Sequence, residues 1–119
     1  MIIKSLSSSQ IALIIKTGRA YNSGSFVLKT PVRNEELEKD EFFGAFIVSK
    51  KVFSKAVDRN KAKRRIREAF KEAVKGVKKE KLTPASFVFL IKKGVVKTPF
   101  AEIVQETKQI LVKDYIIKQ

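Results

Sequence analysis

Six polar or cationic side chains recur at helical spacing in the middle of this chain, within and just after the segment Arg59-Asn60-Lys61-Ala62-Lys63-Arg64-Arg65-Ile66-Arg67-Glu68. At about 100° per residue they share one arc of about 140°. We call this set the cationic ridge: Arg59, Asn60, Lys63, Arg64, Arg67 and Lys71. A guanidinium grips phosphate through a planar fork, a lysine adds a point charge, and an asparagine amide can pair with a base edge or a ribose hydroxyl. The ridge therefore predicts binding of an RNA or DNA backbone.

The other two faces of the same predicted helix set the ridge apart. An apolar arc beside it predicts packing against a core, and its members are Ala62, Ile66, Ala69, Phe70, Ala73 and Val77. The third face is mixed in sign, as an ordinary solvated surface is, and holds Asp58, Lys61, Arg65, Glu68 and Glu72. A solvated surface is the alternative reading of the ridge too, but a single arc of cations favours a polyanionic partner.

Two lysines precede this helix. Lys50 and Lys51 follow an apolar run and lead into a helix N-terminus, whose free amides also favour anions. On this feature alone, an ordinary basic loop is an equal alternative. Its position next to the ridge favours a role in nucleic-acid binding.

Composition narrows the function further. The formal net charge is +14, and residues 50–71 carry ten Lys or Arg against two acids, a local +8. The absence of Cys and His excludes disulfides, thiolate nucleophiles, imidazole bases and the zinc sites that those ligands build. Residues 1–119 are predicted to form one domain. The apolar run at 11–15 is too short to cross a bilayer, so we expect a cytoplasmic protein with no membrane partner.

Clustered acids are the only candidates for independent catalysis. Glu35, Glu36, Glu38, Asp40 and Glu41 lie in a polar segment without apolar residues to fix their geometry. We therefore predict no metal site and no catalytic residue in the protein itself, which argues against a stand-alone nuclease.

Hydrophobic periodicity and turn residues predict three helices and three clear strands. The first helix is capped within Ser7 to Ser9 and ends at Thr17 before Gly18; the second has Ser54 as its N-cap and runs to about Val77; the third covers Phe100–Lys113. The strands are predicted at residues 25–32, 42–49 and 86–91. A polar stretch at 34–41 is predicted to be a hairpin loop between the first two of them.

These elements predict an α/β (α+β) domain with a mixed sheet and helices on one side. A strand, a long helix and another strand normally form a parallel pair, whereas the hairpin makes the earlier strands antiparallel. Most of the nine Phe residues fall in strands or on the apolar arc, which predicts that they pack in the core.

The ordered set of motifs resembles the protein subunit of bacterial ribonuclease P. The residues that carry the resemblance are Ser49-Lys50-Lys51, Ala56-Val57 and the basic segment 59–68, flanked by Phe26-Val27-Leu28 and by Phe87-Val88-Phe89-Leu90-Ile91-Lys92-Lys93-Gly94. The resemblance implies a sheet of about four strands with a left-handed helix crossover. It also implies a ribonucleoprotein endonuclease that removes the 5′ leader from precursor tRNA. In that family the RNA subunit is catalytic and holds most of the Mg²⁺, so the protein alone is expected to be inactive. The implied partners are ribonuclease P RNA and precursor tRNA, with no obligate protein partner.

Two surfaces are implied residue by residue. The RNA subunit would be bound by Lys50, Lys51, Arg59, Asn60, Lys63, Arg64 and Arg67. The single-stranded leader would lie in a cleft, the leader cleft, formed by Ile11, Ile15, Val27, Lys29, Ile47 and Lys92. Family members commonly have Phe at the positions of Ile11 and Ile15, so weaker base stacking is expected here. The alternative from another class is a structural RNA-binding protein without a processing role.

Overall fold

A five-stranded mixed sheet organises the molecule in our computed structural model, which describes residues 2–32, 41–83 and 85–118. The strands are β1 (Ile3–Ser5), β2 (Arg19–Asn22), β3 (Phe26–Thr30), β4 (Phe42–Ile47) and β5 (Ala85–Ile91), in the order β1-β4-β5-β3-β2. The helices are α1 (Ser8–Thr17), α2 (Ala56–Val74) and α3 (Phe100–Lys113), with short 3₁₀ turns at Lys79–Lys81 and Lys93–Val96. The acids predicted at 35–40 lie outside the described residues.

The predicted parallel pair is confirmed. β4 and β5 run parallel, with Phe46 opposite Phe89, and α2 lies in the connection between them. The sheet has five strands rather than about four. The edge strands β1 and β2 were not predicted, because they lack an alternating apolar pattern. The left-handed sense of the crossover stays a prediction.

The predicted hairpin between β3 and β4 is wrong. β5 lies between them, parallel to β4 and antiparallel to β3. The hairpin partner of β3 is β2, with Tyr21 opposite Leu28 across a turn that includes Gly24. β5 takes the central position because it is the most apolar strand and is covered on both faces.

Helices pack on both faces of the sheet, not on one side as predicted. On the inner face, Phe70 of α2 packs on Phe42 and Phe87, with ring centroids 6.0 and 4.7 Å apart. On the outer face, α1 buries Ile14 beside β3 and β5, and Val88 is fully buried there as well. The apolar arc of α2 is confirmed, since Ala62, Ile66, Ala69, Phe70 and Ala73 are buried and Val77 packs against the same core.

The helix ends differ in how well the sequence marks them. Ser7 and Gln10 form a capping box at the start of α1, and Gly18 follows its end, as predicted. For α2 the predicted cap Ser54 is wrong: Lys55 is the N-cap and makes no side-chain capping bond. α2 ends at Val74, and Gly76 has φ +80, which favours glycine. Within the described residues, none of the helices is both long and apolar enough to cross a membrane.

Candidate nucleic-acid interface

The cationic ridge lies along the solvent side of α2. Asn60, Arg64 and Arg67 are exposed, whereas Arg59, Lys63 and Lys71 are half-buried. Beneath it, Ile66 and Phe70 are fully buried. Burial of the apolar arc fixes the rotation of α2, and that rotation turns the ridge outward.

Arg59 is held by the loop that precedes α2. Its Nη1 donates hydrogen bonds to the carbonyl oxygens of Phe53 at 3.0 Å and Ser54 at 2.8 Å. A guanidinium has five N–H donors, and both of these bonds use one nitrogen, so the group keeps donors for a phosphate. The contact orders the entry to α2 and sets the direction of the Arg59 side chain.

Arg67 lies over the ring of Phe46 on β4. Its Cζ is 5.0 Å from the ring centroid, and Phe46 is itself stacked on Phe89 at 5.3 Å with an interplanar angle of 6°. A cation over an aromatic face is attracted by the ring quadrupole. Arg67 is therefore positioned in advance at the junction of α2 with the sheet, while its side chain stays exposed.

The sequence predicted that Arg65 lies on an ordinary solvated surface, and the structure shows otherwise. Its Nε donates to the Val95 carbonyl at 3.2 Å and its Nη2 to the Thr98 carbonyl at 2.8 Å. Its Cζ also lies 5.7 Å from the centroid of the Phe100 ring. Arg65 thus joins α2 to the segment that leads into α3. Sequence spacing alone gave no signal for this role, because the carbonyl partners are 30 and more residues away.

Lys50 and Lys51 are exposed in the connection between β4 and α2. The turn is closed by hydrogen bonds from the amides of Val52 and Phe53 to the Ser49 carbonyl, at 3.1 and 3.2 Å. With no side-chain cap on Lys55, the first amides of α2 remain available to an anion. The two lysines therefore lie close in sequence to the N-terminus of α2, whose free amides also favour anions.

The residues of the predicted leader cleft share the outer face of the sheet with α1. Val27 and Ile47 are both opposite Leu90 in the register, so these three side chains form one row across β3, β5 and β4. Ile11 and Ile15 are half-buried on α1, on either side of the buried Ile14. Leu90 was missing from the predicted set, although the alternation in β5 could have identified it.

The two lysines of the leader cleft have different surroundings. Lys29 is half-buried next to Val27 on the outer face. Lys92 follows β5, and its Nζ donates to Asn22 Oδ1 at 2.9 Å and to the Ser23 carbonyl at 2.7 Å. Lys92 therefore fixes the turn between β2 and β3 and brings a positive charge to that end of the sheet.

A groove of about 460 Å³ runs along α1, and the sequence did not predict it. Its walls include Leu13, Ile14, Val32 and Ser86. Leu13 and Val32 are 61% and 63% exposed, so the groove is apolar and open. None of the leader cleft residues lines it. The outer face thus has a second apolar surface, this groove, in addition to the leader cleft.

Asp114 forms a buried polar cluster that the sequence did not reveal. Its Oδ1 accepts hydrogen bonds from the Tyr21 hydroxyl at 2.7 Å and from Thr30 Oγ1 at 3.0 Å, and it lies 3.1 Å from Nη2 of Arg19. Burial, followed by the bond to Asp114, raises the pKa of Tyr21 above its ordinary value of 10.0. The cluster joins the β2–β3 hairpin to the end of α3.

The described acids offer little for metal chemistry. Glu41 of the acidic segment pairs with Lys4 at 2.9 Å. Among residues 2–32, 41–83 and 85–118, no group of three or more carboxylates is placed to hold a metal ion.

Comparison with known proteins finds a matching family model and similar solved structures. The family model for ribonuclease P matches residues 5–114. The Staphylococcus aureus RNase P protein is similar in structure with a TM-score of 0.70 at 22% identity, covering 99% of this chain and 100% of that one. A mutant of the S. aureus protein with defective mRNA degradation activity has a TM-score of 0.71 at 25% identity, covering 95% and 89%. The Thermotoga maritima RNase P protein has a TM-score of 0.68 at 22% identity, covering 92% and 96%.

Proposed function

Since the chain belongs to the ribonuclease P protein family, we propose that it is the protein subunit of a ribonucleoprotein that matures the 5′ end of tRNA. In this proposal the RNA subunit performs the cleavage, and the protein binds both that RNA and the 5′ leader of precursor tRNA. The observation that carries the proposal is the family match across residues 5–114. We place this activity in the cytoplasm.

The cationic ridge would bind the RNA subunit. Its exposed members Asn60, Arg64 and Arg67 can reach phosphates without disturbing the core, because Ile66 and Phe70 are buried on another face of α2. Arg59 and Arg67 are held by contacts within the protein, so less side-chain entropy is lost when they bind. Lys50, Lys51 and the uncapped amides of α2 would extend the same contact.

The leader would bind on the outer face of the sheet. The row of Val27, Leu90 and Ile47 offers an apolar floor, and Ile11 and Ile15 on α1 offer an apolar wall. Without rings on α1, leader bases would pack against aliphatic side chains rather than stack on them. Stacking contributes about 1–3 kcal/mol per base, so this protein would gain less from the leader than relatives with Phe there.

Magnesium would be held mainly by the RNA. The protein's part is electrostatic: it neutralises phosphates so that RNA and substrate approach at lower Mg²⁺ concentration. The formal charge of +14, of which +8 comes from residues 50–71, suits this role.

Cleavage of a precursor tRNA by a bacterial ribonuclease P RNA at low Mg²⁺, with and without the protein, tests the proposal. We expect the protein to restore cleavage at the mature 5′ end and to be inactive alone. RNA binding without restored cleavage would favour a structural RNA-binding protein. Cleavage by the protein alone would contradict the division of roles.

A further inference from the structure

Tyr115 has a backbone conformation that glycine or asparagine would adopt more easily. It follows Asp114, the C-cap of α3, with φ +62, and within the described residues it is the only residue other than glycine with positive φ. Its side chain is 74% exposed, so burial of the ring does not compensate for the unfavourable backbone. Residues held in such conformations cluster at functional sites.

Three exposed lysines lie on the chain segments next to Tyr115. Lys113 and Lys118 are close to it in sequence, and Lys113 lines the same concavity as Tyr115. Lys81 lies beside Lys118, because the Lys118 amide donates to the Lys81 carbonyl at 2.7 Å. The bridge between Leu82 and Ile117 fixes this pairing of chain segments. We call Lys81, Lys113, Tyr115 and Lys118 the C-terminal patch.

The neighbouring carboxylate leaves the patch positive. Asp114 is 7% exposed and is turned inward, where it pairs with Arg19 and accepts hydrogen bonds from Tyr21 and Thr30. Glu80 is exposed next to Lys81 and offsets one of the three lysines. A concavity of about 390 Å³ beside Tyr115 is lined by Val112, Lys113 and Ile117, which gives the ring an apolar neighbour.

We propose that the C-terminal patch is a second RNA contact, in which Tyr115 stacks on an unpaired base and the three lysines bind adjacent phosphates. An exposed aromatic ring among cations is the arrangement that binds single-stranded nucleic acid. The inference rests on the proposed function, because it takes the RNA subunit as the partner. The patch is tied through Asp114 to Thr30, whose side chain lies on the inner face with α2, whereas the leader cleft lies on the outer face.

The backbone of Tyr115 allows a test in which stability and binding move in opposite directions. In Tyr115→Gly the residue adopts positive φ without strain, so the melting temperature is expected to be unchanged or higher. Removal of the ring is expected to weaken binding of ribonuclease P RNA about 5- to 100-fold. Tyr115→Phe keeps the ring and is expected to bind as the unchanged protein does.

Charge is tested by a matched pair of lysines. Lys118→Gln is expected to weaken RNA binding and to flatten its salt dependence, whereas Lys108→Gln, on the exposed side of α3, removes the same charge with little effect. If Tyr115→Gly melts at a lower temperature, its weaker binding could come from unfolding, and the two lysine variants then test the RNA contact instead. Equal binding by these two lysine variants would then overturn the proposal.

The remaining outcomes separate this inference from the proposed function. Titrations use ribonuclease P RNA without precursor tRNA, with Arg64→Ala as a reference for the cationic ridge. Normal binding by Tyr115→Gly alongside weak binding by Arg64→Ala would overturn the C-terminal patch and leave the proposed function standing. A loss seen only when a leader-bearing substrate is present would overturn the assignment to the RNA subunit. Failure of the unchanged protein to bind the RNA would overturn both.

Discussion

The guanidinium of Arg65 lies over the ring of Phe100, with Cζ 5.7 Å from the ring centroid, and joins α2 to the start of α3. Its sequence neighbour Arg64 is exposed on the cationic ridge. Two adjacent arginines thus have different surroundings, since one step along a helix turns a side chain by about 100°. This pair makes it possible to separate RNA binding from folding by neighbouring substitutions.

Arg64→Ala is expected to weaken binding of ribonuclease P RNA by about 1–3 kcal/mol while the free energy of unfolding changes by less than about 0.5 kcal/mol. One phosphate contact fewer should also reduce the slope of log affinity against log salt by about 0.9. Titrations at several salt concentrations measure both. Ile66→Ala serves as the opposite control: Ile66 is fully buried, and its truncation should cost about 2–5 kcal/mol of stability. An unchanged salt slope in Arg64→Ala would count against the ridge.

Arg65→Ala is expected to lower the free energy of unfolding by about 1–3 kcal/mol. The substitution removes two charge-assisted hydrogen bonds, to the carbonyls of Val95 and Thr98, and the contact with Phe100. Urea unfolding followed by circular dichroism measures the loss. Arg64→Ala is the matched control for the removal of one positive charge. Equal stability of the two variants would show that the contacts of Arg65 contribute nothing.

The positions of Arg64 and Arg65 also show what sequence can and cannot predict. The apolar arc, which runs from Ala62 to Val77, fixes the rotation of α2, so the outward direction of the ridge follows from periodicity alone. The partners of Arg65 could not be found in this way, because tertiary packing brings them close across sequence separations of 30 and 33 residues. Local spacing predicts which face a side chain occupies, but not what lies opposite that face.

The sheet shows the same division. β5 was predictable from its apolar run, whereas its insertion between β3 and β4 depends on long-range pairing. β1 and β2 are edge strands of three and four residues, mostly exposed, and carry no alternating pattern. The predicted cap Ser54 is wrong by one residue, since Lys55 is the N-cap of α2. The loop before α2 is held by Arg59, whose Nη1 donates to the carbonyl of Ser54.

Ile11→Phe is expected to strengthen binding of precursor tRNA once the leader is long enough to reach α1. Ile11 is half-buried on α1 at the edge of the outer face, where a ring could stack on a leader base for about 1–3 kcal/mol. Affinity for substrates with leaders of increasing length, in complex with the RNA subunit, gives the measurement. Leu13→Phe adds the same ring to an exposed position that lines the neighbouring groove and serves as control. No gain from Ile11→Phe would refute a base-stacking site beside α1.

Tyr21 is expected to make stability fall at high pH. The pKa of Tyr21 is raised in the folded protein, so the folded state holds the phenolic proton more tightly than the unfolded state does. The contribution is therefore complete below the ordinary pKa of 10.0 and is lost as the pH rises through the higher folded value. Thermal unfolding between about pH 8 and 11 should show a steeper decline for the unchanged protein than for Tyr21→Phe. Because lysines titrate in both proteins, only the difference between the curves reports on Tyr21. Parallel curves would show that the raised pKa of Tyr21 does not contribute to stability in this pH range.

Gly94→Ala is expected to destabilise the fold by about 1–3 kcal/mol and to weaken leader binding. A Cβ on Gly94 would lie 2.2 Å from the carbonyl oxygen of Gly24, so the β2–β3 turn would have to move. Lys92 holds the same turn through Asn22 and Ser23. If the turn moves, the positive charge of Lys92 moves with it at the end of the leader cleft. Gly24→Ala is the matched control, because a Cβ there has no atom within 4 Å. Stability measured by urea unfolding and affinity measured with leader-bearing and leaderless substrates separate the two effects. A loss of stability with unchanged preference for the leader would mean that Lys92 acts only as a structural tie for the turn.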